Sequence, residues 1–386
     1  MTRIRVALNL LAVAEGGGGI ARYGTELAAA LAVRDDVELH LFTGLDAPTS
    51  CAAPWLDLVR HTRVPVRVGG PPLHLAAQFG LLPALAVARR LHVVHTPSNA
   101  GPVRIPGVAS VITLHDTTWL RVPDQWGTPE AVRSMWRIVG FTAPRADRLV
   151  AGSHDTARDL QRFLALDRER IDIARHGVRV NPNVRATPEG ELRDRLGLGS
   201  DPVVLCVAQK RPYKNQELLV RALAQPLLAG VRLVLPGAPT AYEGRLRALA
   251  DELGVAGRVH LPEWVEETDL EGLYRLAACF ALPSRLEGFG LPLLEAMARG
   301  VPVACSDQSA LPEVAGDAAL LFDPDGVEAA ASTLSRLLHD GDLRTSLKAR
   351  GHARVARFTW DAAADATVAS YRRALAGRQR AMPRRR

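Results

Sequence analysis

Short apolar runs rich in Val, Ile and Leu alternate along this chain with stretches whose apolar positions fall three and four residues apart. The alternation predicts strands over residues 4–10, 37–42, 93–95, 108–114, 148–151 and 171–174, and helices over 20–32, 75–90, 128–141 and 156–164. Residues 54–72 read as irregular, and 181–189, with Pro182 and Pro188, as a linker. The pattern then resumes, with strands over 203–207, 231–236, 259–261, 279–282 and 301–305 and helices over 216–228, 241–253, 269–277, 291–299, 327–338, 342–357 and 361–376. Continuously apolar strands separated by helices belong to parallel sheets covered on both faces. The expected fold is therefore α/β, two doubly wound Rossmann-like lobes facing an interdomain cleft. Residues 1–180 form the first lobe and 190–360 the second, and the terminal helix, to residue 377, packs back on the first.

Composition keeps the chain among soluble globular proteins: 47% of its 386 residues are apolar and mean hydropathy is near zero. The first five residues run directly into a strand, so no secretory signal is expected. Residues 73–88, the most apolar stretch, are interrupted by His74, Gln78 and Pro83 and are too short for a membrane span. Cys51, Cys206, Cys279 and Cys305 lie far apart without metal-type spacing and read as buried thiols in a reducing cytoplasm. Charge is uneven. Residues 1–185 hold 22 Arg against 16 acidic residues (+6), and the remainder holds 26 Lys and Arg against 25 (+1). Arg378, Arg380, Arg384, Arg385 and Arg386 supply +5 of that second group. The basic first half suits anionic lipid or an anionic substrate. Its Arg are dispersed and no nucleic-acid module is present, which argues against a nucleic-acid partner.

The chemistry concentrates in residues 283–303, PSRLEGFGLPLLEAMARGVPV. A glycine-bearing turn, Glu287-Gly288-Phe289-Gly290, follows a strand and opens a helix at Leu291, with Pro292 in the first turn, where its missing N–H costs nothing. Free backbone N–H groups and the positive end of the helix dipole make an anion site there. Glu287 and Glu295 bracket it, an arrangement suited to a ligand with hydroxyls on both sides of its phosphates. Upstream, the strand 203–207 runs into Ala208-Gln209-Lys210-Arg211-Pro212-Tyr213-Lys214-Asn215. Cations at a strand end suit a diphosphate. Lys210 and Lys214 are two of only three Lys in the chain.

In the first lobe a glycine run, Gly16 to Gly19, precedes a helix and lets a ligand approach backbone N–H groups. It also matches the dinucleotide fingerprint G-x-G-x-x-A, weakly, because several residues separate it from the strand. His115-Asp116 ends the strand 108–114, where open α/β sheets place ligand chemistry. Asp116 reads as the cap of the following turn.

The string EGFGLPLLEAMARGVPV, with seven residues between its two Glu, resembles the donor-site signature of the retaining glycosyltransferases of family four, a two-lobed GT-B group related to mannosyltransferases. GGIARY resembles that family's first loop, TLHDTTWLRVPD its acceptor-side loop, and Glu263-Trp264-Val265 the segment whose backbone meets the base. The resemblance covers nearly the whole chain and implies transfer of a hexose from a nucleoside-diphosphate sugar, GDP- or UDP-linked with GDP-mannose preferred, to a glycan, lipid-linked or small-molecule acceptor. It implies that Glu295 holds the ribose and Glu287 the sugar hydroxyls. Lys214, with Lys210 or Arg211, would stabilise the leaving diphosphate, and His115 would hold the donor sugar. Glu287, His115 and Lys214 are then the catalytic set. Gly18, Gly19, Gln209, Lys210, Arg211, Val265, Gly288, Phe289, Gly290, Leu291 and Glu295 complete the donor site. Gln209 stands where the family has an Arg, and the replacing cation is left open between Lys210 and Arg211.

The family needs neither metal nor cofactor. Asp323-Pro324-Asp325 matches D-x-D, but Pro324 and Gly326 indicate a turn capped by Asp. The expected location is the cytoplasm, with peripheral contact at the inner face of the membrane as an open addition. A non-catalytic sugar-nucleotide binder and, on the glycine run alone, a dinucleotide oxidoreductase are the alternatives from other classes.

Overall fold

The β-branched run Ile4–Leu10 forms β1, a central strand of a parallel sheet. The computed structural model describes residues 3–13, 18–46, 54–67, 71–263 and 265–381. Within them the first sheet has β1, β2 (Val37–Thr43), β3 (Arg60–Arg63), β4 (Val93–Thr96), β5 (Ala109–Leu114), β6 (Arg148–Ala151) and β7 (Ile171–Ile173). Their order is β3-β2-β1-β4-β5-β6-β7. The second sheet has β8 (Val203–Leu205), β9 (Arg232–Val234), β10 (Val259–His260), β11 (Cys279–Leu282), β12 (Val303–Ser306) and β13 (Ala319–Phe322), in the order β10-β9-β8-β11-β12-β13. Every recorded pairing is parallel. In both sheets the order reverses beside the first strand, at β1/β4 and at β8/β11.

Two units result. One holds Met1–Arg121, Gly127–Gly177 and Trp360–Arg386, and the other Val122–Trp126 and Val178–Thr359. In the first, Leu8, Val93 and Val111 pack with the helices Gly18–Ala32 and Trp360–Ala381. A separate cluster joins Phe42 and Val94 to Leu82 and Ala86. The terminal helix buries Trp360, Ala363, Ala364, Thr367, Val368, Tyr371 and Ala374, a stripe at helical spacing. At Gly177, before the chain leaves this unit, a Cβ would lie 2.5 Å from the Trp360 backbone, so only glycine fits. The second unit has one core, with Leu205, Leu233, Phe280 and Leu294 at its centre.

The elements differ from expectation where local pattern is weakest. Arg60–Arg63 is a charged edge strand in a stretch read as irregular, and edge strands often carry charge that blocks further pairing. Ala319–Phe322 is an additional edge strand with Leu321 exposed, and Glu189–Leu196 a helix at the end of the expected linker. The helix expected over 216–228 ends at Leu223, and Pro226 starts a separate 3-10 turn. The apolar helix begins at Pro71 and contains a π turn, Ala77–Leu81, just before Pro83. A wider turn accommodates a residue that has no N–H to donate and whose ring crowds the preceding carbonyls. Cys206, Cys279 and Cys305 are buried thiols, and burial pushes the first two up to about 12, so none is poised as a nucleophile. Cys51 lies outside the described residues.

Among the described residues of the first unit, His40, His95, His115 and His176 are buried. His95 Nδ1 lies 2.7 Å from the Tyr371 hydroxyl and Nε2 2.8 Å from Thr113 Oγ1, tying β4 to the terminal helix and to β5. Burial holds His95 down at about 3 and lowers His115 and His176 as well. Because the folded values lie below the unfolded one of about 6.5, the unfolded chain takes up protons first as pH falls. Between pH 7 and 5 stability should therefore fall, with a slope approaching about 1.4 kcal/mol per pH unit for His95 once the pH is below about 6.5, and His115 and His176 add loss in the same direction. Urea midpoints measured across that range should fall, and His95→Gln should flatten the slope. A midpoint independent of pH between 7 and 5 would contradict the account.

Candidate active site

The loops that follow β8 and β11 flank the point where the second sheet reverses its strand order. Pro212–Lys214 is a 3-10 turn, and Asn215 after it adopts the left-handed conformation at φ 57°. Asn tolerates that region better than most residues, and here its amide nitrogen donates to the carbonyls of Pro283 (3.2 Å) and Pro324 (2.8 Å). Three loops are thus stitched together behind Lys214. Across from it, Glu287 is held by a serine on each side. Ser284 Oγ donates to Glu287 Oε1 at 2.8 Å. Ser309, from the loop after β12, accepts from the Glu287 N–H at 3.1 Å and donates to its carbonyl at 2.8 Å.

These restraints bring Lys214 Nζ and Glu287 Oε1 to 2.7 Å, with 17% and 11% of their side chains exposed. Both recorded side-chain contacts of Glu287 use Oε1, so Oε2 can accept from a ligand hydroxyl. Lys214 Nζ also lies 5.3 Å from the Tyr213 ring centroid, a modest cation–π contact. Gly290 caps the helix Leu291–Ala298 with φ 100°, and a Cβ there would meet Leu311 at 2.7 Å, so backbone and packing both require glycine. Phe289 turns its ring into the core, edge-on to Phe358 at 5.8 Å, which leaves only its backbone for a ligand. Gly288 is half-buried between Glu287 and that ring.

Glu295 sits one turn into the helix, buried, and accepts from the Tyr274 hydroxyl at 3.0 Å. Arg299 crosses the Tyr274 ring at 4.6 Å and pairs with Glu271 at 2.7 Å. Tyr274 and Arg299 thus fix the Glu295 side of the helix.

Lys210 behaves differently from Lys214. It is 0% exposed, donates to the carbonyls of Gly237 (2.7 Å) and Pro262 (3.3 Å), and lies 3.1 Å from Glu243 Oε2. Its ammonium anchors the loops after β8, β9 and β10 and is buried among these partners. Of the two cations left open by the sequence, Arg211 is the one at the surface, half-buried, with its guanidinium donating to the Trp126 carbonyl at 3.3 Å. Gln209 is exposed and Val265 half-buried, while Trp264 lies outside the described residues. Ser284, Ser309, Asn215 and Tyr274 complete the site. None carried a sequence signal for its role, because each acts by orienting another residue.

In the first unit His115 follows β5. Its Nε2 lies 2.9 Å from the Pro97 carbonyl, which can only accept, so Nε2 carries the proton and the neutral ring offers Nδ1 as an acceptor. The Tyr23 ring stands edge-on at 4.7 Å and His176 at 5.5 Å. Asp116 Oδ1 accepts from the Thr118 N–H at 2.9 Å, capping the short helix Thr118–Arg121. Gly18 and Gly19 open the helix Gly18–Ala32, Gly18 with φ 66°. Gly16 and Gly17 lie outside the described residues. Among the described residues no group of three or more His, Cys, Asp or Glu is arranged to hold a metal ion. Asp325 pairs with Arg285 at 2.6 Å, and its N–H donates to Asp323 Oδ1 at 2.9 Å, the geometry of an Asx turn.

The family model for glycosyl transferases group 1 matches residues 189–354, and that for Glycosyltransferase Family 4 matches residues 17–181. A D-inositol 3-phosphate glycosyltransferase of Xylanimonas cellulosilytica is 34% identical over 390 residues, covering 92% of this chain and 92% of the relative. The O-antigen chain mannosyltransferase B of Escherichia coli is 29% identical over 377 residues, 92% of this chain and 96% of the relative. Sucrose-phosphate synthase from Thermosynechococcus elongatus superposes with a TM-score of 0.73 at 23% identity, covering 97% of this chain and 100% of that one. Anabaena HepE, solved with UDP and glucose, superposes at 0.72 with 18% identity, covering 95% and 99%. At these identities the solved structures speak to the fold, which is GT-B. Sequence relatives and fold agree, and the chain belongs to the family-four, group 1 glycosyltransferases.

Proposed function

We propose that this glycosyltransferase is a retaining enzyme that moves a hexose from a nucleoside-diphosphate sugar to a glycan, lipid-linked or small-molecule acceptor without a metal ion. The 2.7 Å pair of Lys214 and Glu287 carries the reading. A diphosphate competes with Glu287 for the ammonium, and the carboxylate so released is offered to sugar hydroxyls. Lys214 and Arg211 then face the charge that grows on the leaving diphosphate, as transfer requires. Backbone N–H groups from Gly288 to Leu291 receive phosphate oxygens. Glu295, oriented by Tyr274, holds the ribose, and the backbone around Val265 meets the base. Nδ1 of His115 accepts from the donor sugar, and Gly18 and Gly19 let the first loop approach the phosphates. GDP-mannose is the preferred donor, supported by the Escherichia coli relative named as a mannosyltransferase and by the strings LHDTTWLR and RPYKN. Relatives' names point to two acceptor classes, a growing polysaccharide and a phosphorylated polyol.

Peripheral contact with an anionic membrane belongs to the same proposal. Trp136 and Phe141 are 44% and 55% exposed on the helix Pro129–Thr142, which also exposes Arg133 and Arg137. Leu73, 69% exposed, and Phe79 stand out from the stretch 71–88. Among the described residues no helix is long and apolar enough to cross a membrane. Within the tail group Arg378 pairs with Asp147 at 3.1 Å; residues 382–386 lie outside the described residues.

Glu287→Ala and Lys214→Ala should each cost about 3–4 kcal/mol of transition-state stabilisation, on the order of a hundred- to thousandfold in kcat/KM, with the fold intact. Lys210→Ala should instead destabilise the protein by about 1–3 kcal/mol, since it takes the ammonium donor from the Gly237 and Pro262 carbonyls and leaves Glu243 with Arg247 as its recorded cation. Steady-state kinetics with urea melts separates the two. Near-normal turnover by a folded Glu287→Ala or Lys214→Ala variant would sink the assignment. Turnover should also persist in excess EDTA; loss that magnesium or manganese restores would refute metal independence. Co-sedimentation should show binding to anionic vesicles, release by salt and weakening in the Trp136→Ala, Phe141→Ala double variant. Equal, negligible binding to anionic and neutral vesicles would remove the membrane from the proposal.

A further inference from the structure

The loops considered so far leave the carboxyl ends of the strands. At the amino-terminal edge of the first sheet, a surface cavity of about 390 Å³ opens between the turn Ala143–Arg145, the start of β6 and the last turns of the helix Trp360–Ala381. Four arginines line it: Arg148, Arg170, Arg373 and Arg378. Two carboxylates answer them. Arg148 forms a two-pronged pair with Asp172 at 2.5 and 2.9 Å, and Arg373 Nε reaches the same carboxylate at 2.9 Å. Arg378 pairs with Asp147 at 3.1 Å and donates to the Ile105 carbonyl at 3.0 Å. Arg170 donates to the carbonyls of Pro144 and Ala146, and among the described residues no carboxylate is recorded against it. Among the described residues the terminal nitrogens of Arg373 have no recorded partner, and its side chain is half exposed.

The cavity thus carries two more positive than negative groups, held close together. Like charges gathered this way repel unless an anion joins them. The pairs with Asp172, Asp147 and the carbonyls fix the guanidinium planes beforehand, so a ligand would lose little affinity to side-chain ordering. Gly377 lines the same cavity within the terminal helix. Glycine is a poor residue for a helix interior, and packing does not demand it here, since a Cβ at that position would have nothing within 4 Å. A longer side chain there would have open space beside the cavity wall to occupy.

We propose that this cavity binds a phosphate group, carried by a small soluble ester or by a lipid headgroup, at a site separate from the donor site. A phosphate monoester matches the excess of two charges, and its tetrahedral oxygens accept from planar forks approaching from several sides. The test uses the full chain and two variants. Arg373→Ala removes the least constrained cation. Gly377→Leu fills the mouth while every charge is kept, and leucine favours the helix. One arm measures the thermal shift with glycerol 3-phosphate against chloride of equal ionic strength. The other measures flotation with phosphatidylcholine vesicles with and without phosphatidic acid. Stabilisation by the soluble ester, weakened about tenfold or more in both variants, assigns a soluble ligand. Binding to phosphatidic acid vesicles that both variants weaken, without a response to the ester, assigns a headgroup. If neither arm responds, if both variants respond as the parent chain does, or if only Arg373→Ala weakens binding, the cavity is not a site. Neither residue belongs to the donor loops, so donor turnover without added phosphate ester should be unchanged.

Discussion

Parallel strands can be joined only by crossovers, and crossovers of one hand decide where a ligand can sit. Where the strand order runs outward in both directions from β8 and β11, the connections leave toward opposite faces and the two strand ends stand with no helix between them. Everything in the candidate site depends on that gap. Lys214 and Glu287 are 73 positions apart in the chain and 2.7 Å apart in space because each lies on the loop of one of those strands. The surrounding contacts hold this placement: the Asn215 amide across two carbonyls, Ser309 on both backbone groups of Glu287, and the glycine at 290 that turns the chain into its helix. Each restraint joins a different loop, so the geometry belongs to no single segment.

The same crevice separates two lysines of identical chemistry. Lys210 lies directly beyond the strand and points under the loops of the neighbouring strands, where two carbonyls and Glu243 satisfy it. Four residues later the chain has turned through a 3-10 segment, and Lys214 faces the open side. A buried ammonium persists only with such partners, and their presence makes it structural. In the first unit burial acts on histidine in a parallel way. His95 is neutral and bridges two hydroxyls within the core, whereas His115, also neutral, is tied through Nε2 to the Pro97 carbonyl and keeps Nδ1 as an acceptor.

Alternating apolar strands and helices determined the α/β class, the parallel sheets and the division into two lobes, because burial on both faces leaves a periodic trace along the chain. The glycine-bearing turn after β11, its helix and both glutamates were legible as well, since their conformations and charges are local properties. Asp116 and the turn at Asp323–Asp325 were read as caps from neighbouring residues alone, and short-range hydrogen bonds made that possible. The edge strands at Arg60–Arg63 and Ala319–Phe322 left little trace, since an edge needs no continuous apolar run. Only tertiary structure buried Lys210 and left Arg211 at the surface, paired Lys214 with Glu287, and set Ser284, Ser309 and Tyr274 against the two glutamates. It alone gathered four arginines from three distant segments around one cavity. A side chain's direction and partners depend on segments far away in sequence, and no local pattern encodes them.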